Sequence, residues 1–274
     1  MQVEKLYIFD LDGTLYEGTD HFDYYAKRLS IDVAEKDKAA FWADYEKSKN
    51  GKHVLEVGKA YDVEHDAVLT VDPMTLSVVE AHNWDGTEWP LEKVKDTYKG
   101  NLEFDFETIV AIGDGWWLPF ACAKHYGVKD CYTRYCETKE YMVTDEFQLD
   151  PIPGLREFLL QLKEKTNIVL MTNSDADDVS RLFKELELDG VFPKVVTSAK
   201  KPSLTDHYFN ELTKEFGVKP SETVSVGDNF INEIAPALLQ EMKAVYISGS
   251  SQAMEHDNLV QVKRITDWVE SVKI

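Results

Sequence analysis

Four apolar residues in a row, Leu6, Tyr7, Ile8 and Phe9, run into Asp-Leu-Asp-Gly near the start of the chain. A short continuous apolar run closed by turn residues predicts a strand buried on both faces, as in a parallel sheet. The same alternation of buried strand and amphipathic helix resumes at Pro151. Pro153-Gly154 punctuates the chain, and Leu155, Phe158, Leu159 and Leu162 then recur at helical spacing. Residues 167–171 read as a buried strand ending in Thr172-Asn173-Ser174, followed by a helix carrying Val179, Leu182, Phe183 and Leu186. A short strand near 194–197, a helix with Leu204, Tyr208, Leu212 and Phe216, a strand at 223–226, a helix after Ile231 and a strand at 244–247 complete the series. Such alternation predicts an α/β fold: a Rossmann-like, doubly wound parallel sheet covered on both faces through right-handed crossovers.

Residues 16–150 break that rhythm. Amphipathic stretches at 22–29 and 39–45 predict helices, whereas polar-apolar alternation at 67–71 and 76–81 and the apolar run at 109–112 predict strands. The expected organisation is a catalytic core of residues 1–15 and 151–274, with 16–150 inserted as a mainly helical or mixed α+β cap domain. An insertion after the first strand falls on the side of the sheet where open α/β folds bind ligands, which suits a lid.

Composition narrows the function. The 274 residues carry a formal net charge of −20, which disfavours nucleic acid, because phosphate backbones are bound by basic patches. No apolar stretch approaches the roughly 20 residues of a membrane span, so no membrane partner is expected. The N-terminal residues lack the basic start, apolar stretch and small-residue cleavage site of a secretory signal, and the three cysteines are too few for a disulfide framework. A cytoplasmic protein with reduced thiols is expected. Oligomeric state is not legible; Trp84, Trp89, Trp116 and Trp117 suit either an interface or the core of the inserted segment.

Asp10 and Asp12 lie two apart at the end of an extended run, so their side chains lean to the same side. Converging carboxylates call for a divalent cation or a shared proton, and an oxygen-only donor set favours magnesium. Gly13 permits close backbone approach and Thr14 adds a hydroxyl.

The run Asp10-Leu11-Asp12-Gly13-Thr14-Leu15 resembles the first motif of the haloacid dehalogenase-like hydrolase superfamily. The strand ending in Thr172-Asn173-Ser174 resembles its second motif, Lys201-Pro202 its third, and Gly227-Asp228-Asn229-Phe230-Ile231-Asn232-Glu233 its fourth, all in the superfamily's order. The resemblance implies a magnesium-dependent phosphatase in which Asp10 attacks phosphorus to give an aspartyl-phosphate, while Asp12 protonates the leaving oxygen and then activates water. It implies Mg2+ ligation by Asp10, the Asp12 carbonyl and Asp228, and phosphate contacts from Thr172, the Asn173 backbone N–H and Lys201. The expected partner is a small phosphorylated metabolite, such as a sugar phosphate or a nucleotide.

The fourth motif departs from the usual pattern by carrying Glu233 in place of aspartate, so Asn232 and Glu233 are both candidates for a supporting role near the metal or Lys201. Asp12 argues against halide displacement, which has no leaving oxygen to protonate. A phosphomutase or phosphonatase would use the same core, and Lys27, Lys47 and Lys52 are available in the cap as imine-forming amines. A non-catalytic phosphate-binding protein is a further alternative. Residues 110–115, Val-Ala-Ile-Gly-Asp-Gly, mimic the fourth motif but precede the second, and Trp116-Trp117-Leu118-Pro119 follows where a helix with a spaced acid is needed. A corner packed by indoles is expected there. The seven histidines show no metal-ligand spacing.

Overall fold

The computed structural model describes residues 3–72, 75–105, 107–144, 146–248 and 255–272. The chain divides into two compact units, Met1–Gly18 with Gln148–Ile274, and Thr19–Phe147. The first unit therefore takes in Tyr16, Glu17 and Gly18, and Gln148, Leu149 and Asp150, beyond the bounds expected from the sequence.

In chain order, strand β1 (Leu6–Phe9) is followed by the elements of the second unit: helices α1 (Asp20–Leu29) and α2 (Lys38–Lys49), strands β2 (Ala60–Asp62), β3 (Ala67–Val71) and β4 (Val78–Asn83), helix α3 (Leu91–Thr97), strand β5 (Ile109–Ala111), and helices α4 (Trp117–His125) and α5 (Tyr132–Tyr141). The chain then returns to the first unit through α6 (Leu155–Lys165), β6 (Asn167–Met171), α7 (Ala176–Glu185), β7 (Lys194–Val196), α8 (Thr205–Phe216) and β8 (Thr223–Gly227). A π-helical turn at Phe230–Ile234 leads into α9 (Ala235–Leu239), and β9 (Lys243–Ile247), β10 (Leu259–Val262) and α10 (Ile265–Ser271) finish the unit.

Six parallel strands form the sheet of the first unit in the order β10-β9-β8-β1-β6-β7. Strand β1 sits between β6 and β8, with Phe9 opposite both Leu170 and Val226, and all four of its residues are buried. Its alternate side chains serve opposite faces, as the period of a strand requires. Leu6 and Ile8 join Val169, Phe209, Leu212 and Ile234 in one cluster. Tyr7 and Phe9 pack against Trp268, whose ring centroid lies 5.9 and 6.1 Å from theirs. A doubly wound α/β core is thus present as expected, and the sequence pattern missed β10 and α10, which supplies Trp268.

The second unit holds an antiparallel sheet, β4-β3-β2-β5, accompanied by five helices among the described residues. Its composition is mixed α+β. Trp84, Trp89 and Trp116 are buried in it, and Trp84 stacks on His125 with centroids 4.2 Å apart and planes 9° from parallel. One expectation fails here. Residues Trp117 and Pro119 begin helix α4 directly after the Gly113-Asp114-Gly115 turn, because proline is tolerated in the first turn of a helix, whose N–H groups have no intrahelical partner. Trp116 does pack the corner, against His21, Phe22 and Tyr25.

Candidate active site

Three adjacent strands, β8, β1 and β6, end side by side, and each delivers one expected residue immediately after its last position: Asp228, Asp10 and Thr172. The Asp10 N–H donates to the Val226 carbonyl at 2.9 Å, extending the sheet by one residue beneath the carboxylate. Lys201 arrives from the loop after β7, with its Nζ donating to Asp10 Oδ1 at 2.7 Å and to Glu233 Oε2 at 3.0 Å. Both Lys201 and Glu233 are only 2% exposed, so this is an ion triad shielded from solvent.

The backbone around Lys201 is held by a side chain. Asn173 Oδ1 accepts from the Lys201 N–H at 2.7 Å and Asn173 Nδ2 donates to the Lys201 carbonyl at 3.0 Å, a pairing that imitates one rung of a sheet. The loop needs such help, since Ser198 and Lys200 both adopt positive φ, the left-handed region that side chains disfavour.

Glu233 is tied down at both oxygens, because Oε1 accepts the Asn229 N–H at 2.8 Å. Asn229 in turn accepts from the N–H groups of Ile231 and Asn232 at 3.2 and 3.1 Å, capping the π turn that aims Glu233 inward. The extra methylene of glutamate has a specific berth. A Cβ placed on Gly227 would lie 2.5 Å from Glu233 Cγ and 2.4 Å from its Oε1, so the absence of a side chain at 227 makes room for the longer acid.

Gly13 plays the corresponding part for Asp228. Its φ of +71° lies in the left-handed region, and a Cβ there would come within 2.1 Å of Asp228 Oδ2. Ligand oxygens of Asp10, Asp228 and Glu233 all lie within 4.8 Å of one another, and Asn232 Oδ1 is buried without a partner among the described residues. The donor set is oxygen only, which fits a hard divalent cation such as magnesium. Glu233 is already committed to Lys201 and Asn229, so Asp10 and Asp228 are the carboxylates best suited to such an ion.

Asp12 makes different contacts. The single helical turn after Asp10, closed by the Leu15 N–H on the Leu11 carbonyl, brings Tyr16 around to donate to Asp12 Oδ1 at 2.6 Å. Ser174 Oγ donates to Asp12 Oδ2 at 2.8 Å, with Thr172 Oγ1 more distant at 3.4 Å. Neither Tyr16 nor Ser174 was singled out from sequence for this contact. The available signal was the four-residue step from Asp12 to Tyr16, one turn of helix.

Electrostatics separate the groups further. Burial pushes both Asp10 and Glu233 above their ordinary values, against the pull of Lys201. Burial alone would lower Lys201, but the two carboxylates outweigh it and raise the ammonium above its ordinary value, so Lys201 is a fixed cation.

A family model for haloacid dehalogenase-like hydrolases matches residues 4–238. The chain belongs to that family. Solved structures with a similar fold include the HAD-hydrolase YfnB of Bacillus subtilis bound to magnesium, at TM-score 0.55 and 14% identity with all of both chains covered. The L-2-haloacid dehalogenase RSc1362 is similar at TM-score 0.52 and 14% identity, over 98% of this chain and 99% of that one. Among curated proteins, the glyceraldehyde 3-phosphate phosphatase of Pyrococcus furiosus is 33% identical over 130 residues, 44% of this chain and 50% of that protein. This haloacid dehalogenase-like hydrolase therefore shares its fold with dehalogenases and part of its sequence with a phosphatase. No helix among the described residues is long and apolar enough to cross a membrane.

Proposed function

We propose that this hydrolase is a Mg2+-dependent phosphatase acting on a small phosphomonoester through an aspartyl-phosphate intermediate. The observation that carries the reading is the second carboxylate. Asp12 stands two residues from Asp10 with its oxygens held by hydroxyls, where a phosphate ester needs a proton donor for its leaving oxygen and a halide does not. The phosphatase among its curated relatives supports the same side.

In this reading an Asp10 oxygen attacks phosphorus, the ester P–O bond breaks, and Asp12 gives its proton to the departing oxygen. Water then attacks the aspartyl-phosphate, Asp12 takes up its proton, and Asp10 is regenerated as phosphate leaves. Lys201, Thr172 and the Asn173 N–H bind the phosphoryl oxygens, with Lys201 fixed by Glu233 and by the Asn173 side chain. Asp10, Asp228 and the Asp12 carbonyl would hold Mg2+, which supplies positive charge against the phosphoryl oxygens and offsets the burial that disfavours an anionic Asp10. The inserted unit, Thr19–Phe147, is assigned the role of a cap that selects substrates by size. All three cysteines are free, in keeping with a cytoplasmic setting.

The test is hydrolysis of 4-nitrophenyl phosphate and of a panel of phosphorylated metabolites, with Mg2+ and with EDTA, by wild type and Asp10→Asn. Turnover that needs Mg2+ and is lost in Asp10→Asn is expected. A wild type inert on every ester refutes the reading.

A further inference from the structure

The two motif carboxylates face partners of opposite hydrogen-bonding character. Asp10 meets the ammonium of Lys201, which can only donate, so its contact suits a carboxylate that stays an anion and attacks. Asp12 meets hydroxyls, which both donate and accept, so they can stay bonded to it with or without a proton. Its Oδ1 takes the Tyr16 phenol at 2.6 Å and its Oδ2 the Ser174 hydroxyl at 2.8 Å. Tyr16 is 1% exposed, and the tight turn after Asp10 fixes the start of its arm. An aspartate carboxyl rotates in a broad, two-fold well, and a hydroxyl on each oxygen removes that freedom.

We propose that Tyr16 is a positioning residue for Asp12, acting with Ser174 to hold the carboxyl group in the orientation from which it protonates the leaving oxygen. The inference rests on the phosphatase reading above. In the step concerned, the Asp10 O–P bond forms as the ester P–O bond breaks, the electron pair of that bond goes to the departing oxygen, and the Asp12 proton follows it. Asp12 is left a carboxylate, and both hydroxyls donate to it as they do in this structure.

Assistance of this kind matters in proportion to how poor the leaving group is. The readout is therefore kcat/KM, which covers steps up to departure of the alcohol and excludes hydrolysis of the intermediate, across 4-nitrophenyl, phenyl and alkyl phosphates. Tyr16→Phe keeps the ring and removes only the hydroxyl. It should lower kcat/KM by about tenfold or more for phenyl and alkyl esters and by less than about threefold for the nitrophenyl ester. Ser174→Ala should steepen the dependence in the same direction, and Ser174→Thr, which keeps a hydroxyl, should restore it. Equal losses across the series, or none, would overturn the role of Tyr16, because a merely structural defect lowers all three alike. If Tyr16→Phe does not fold, the two Ser174 variants decide by the same criterion. A wild type that hydrolyses no ester removes the phosphatase reading before any substitution is made, which keeps that failure distinct.

Discussion

Gly227→Ala should disable the site by a purely steric route. Gly227 does not lie in the left-handed region, so alanine meets no backbone penalty there. Its new Cβ would fall 2.4, 2.5 and 2.7 Å from Oε1, Cγ and Cδ of Glu233, all closer than carbon and oxygen tolerate, and the side chain must leave its berth. Two bonds go with it. The Asn229 N–H loses its acceptor in a residue only 5% exposed, at about 1–3 kcal/mol, and Lys201 loses one of its two carboxylates, at a further ~1.5–3 kcal/mol. Part is returned, because burial disfavours the charged form of Glu233 and a carboxylate moved to water sheds that penalty. A net loss of about 2–4 kcal/mol is expected, with kcat/KM falling about tenfold or more as Lys201 loosens. Urea unfolding of the wild type, Gly227→Ala, Glu233→Ala and the double variant closes a thermodynamic cycle. In the Glu233→Ala background the clashing atoms are gone, so Gly227→Ala should then cost less than about 1 kcal/mol. Additive losses would refute the reasoning, since they would mean that the Gly227 methyl acts through something other than Glu233.

Gly13→Ala combines two faults, a side chain forced to φ +71° and a Cβ 2.1 Å from Asp228 Oδ2. It should cost about 1 kcal/mol or more in unfolding free energy and raise the Mg2+ concentration for half-maximal turnover at least about tenfold; an unchanged Mg2+ requirement would separate Asp228 from the ion. In the second unit, hydrogen bonds from Arg28 and Arg134 hold Glu137 down to about 2, and a depressed acid stabilises the fold above its unfolded value and loses that contribution as pH falls. Glu137→Gln should therefore destabilise by about 1 kcal/mol at neutral pH, the carboxylate being partly exposed. The difference from wild type should shrink between about pH 5 and pH 2, and thermal melts across that range check it.

What the sequence made legible was whatever depends on continuous apolar runs and ordered motifs. Leu6–Phe9 and, after the exposed Asn167, residues 168–171 are buried because nothing polar interrupts them, and the polar residues that follow each run carry the chemistry. Helix α4 escaped notice because Leu118, Phe120, Ala121, Cys122 and Ala123 are all buried, leaving no polar face to mark a period. Helix α5 fails in the opposite sense, with Thr138 its only buried residue. Three-residue β2 is too short for any pattern, and the seven residues of α10 give little more, although Trp268 closes one face of the sheet. At the site, motif order identified residues but not the directions of their side chains. That Asn173 clamps Lys201 with its amide and that the Ser174 hydroxyl grips Asp12 depend on approach between distant segments, which spacing along the chain does not encode. The Tyr16 contact with Asp12 and the fit of Glu233 beside Gly227 are local instead, and depend on the exact path of a turn.

The central place of β1 has a consequence for synthesis. Both neighbours of Leu6–Phe9, Asn167–Met171 and Thr223–Gly227, lie more than 150 residues downstream, beyond the whole of the second compact unit. At about 5–20 residues per second a ribosome takes roughly 8–30 s to reach the first of them. For that interval the nascent chain carries an apolar strand with both edges unpaired, the kind of segment that captures other chains. The window in which this enzyme is most exposed to misassembly, or most dependent on a chaperone, is thus set by the length of its insertion.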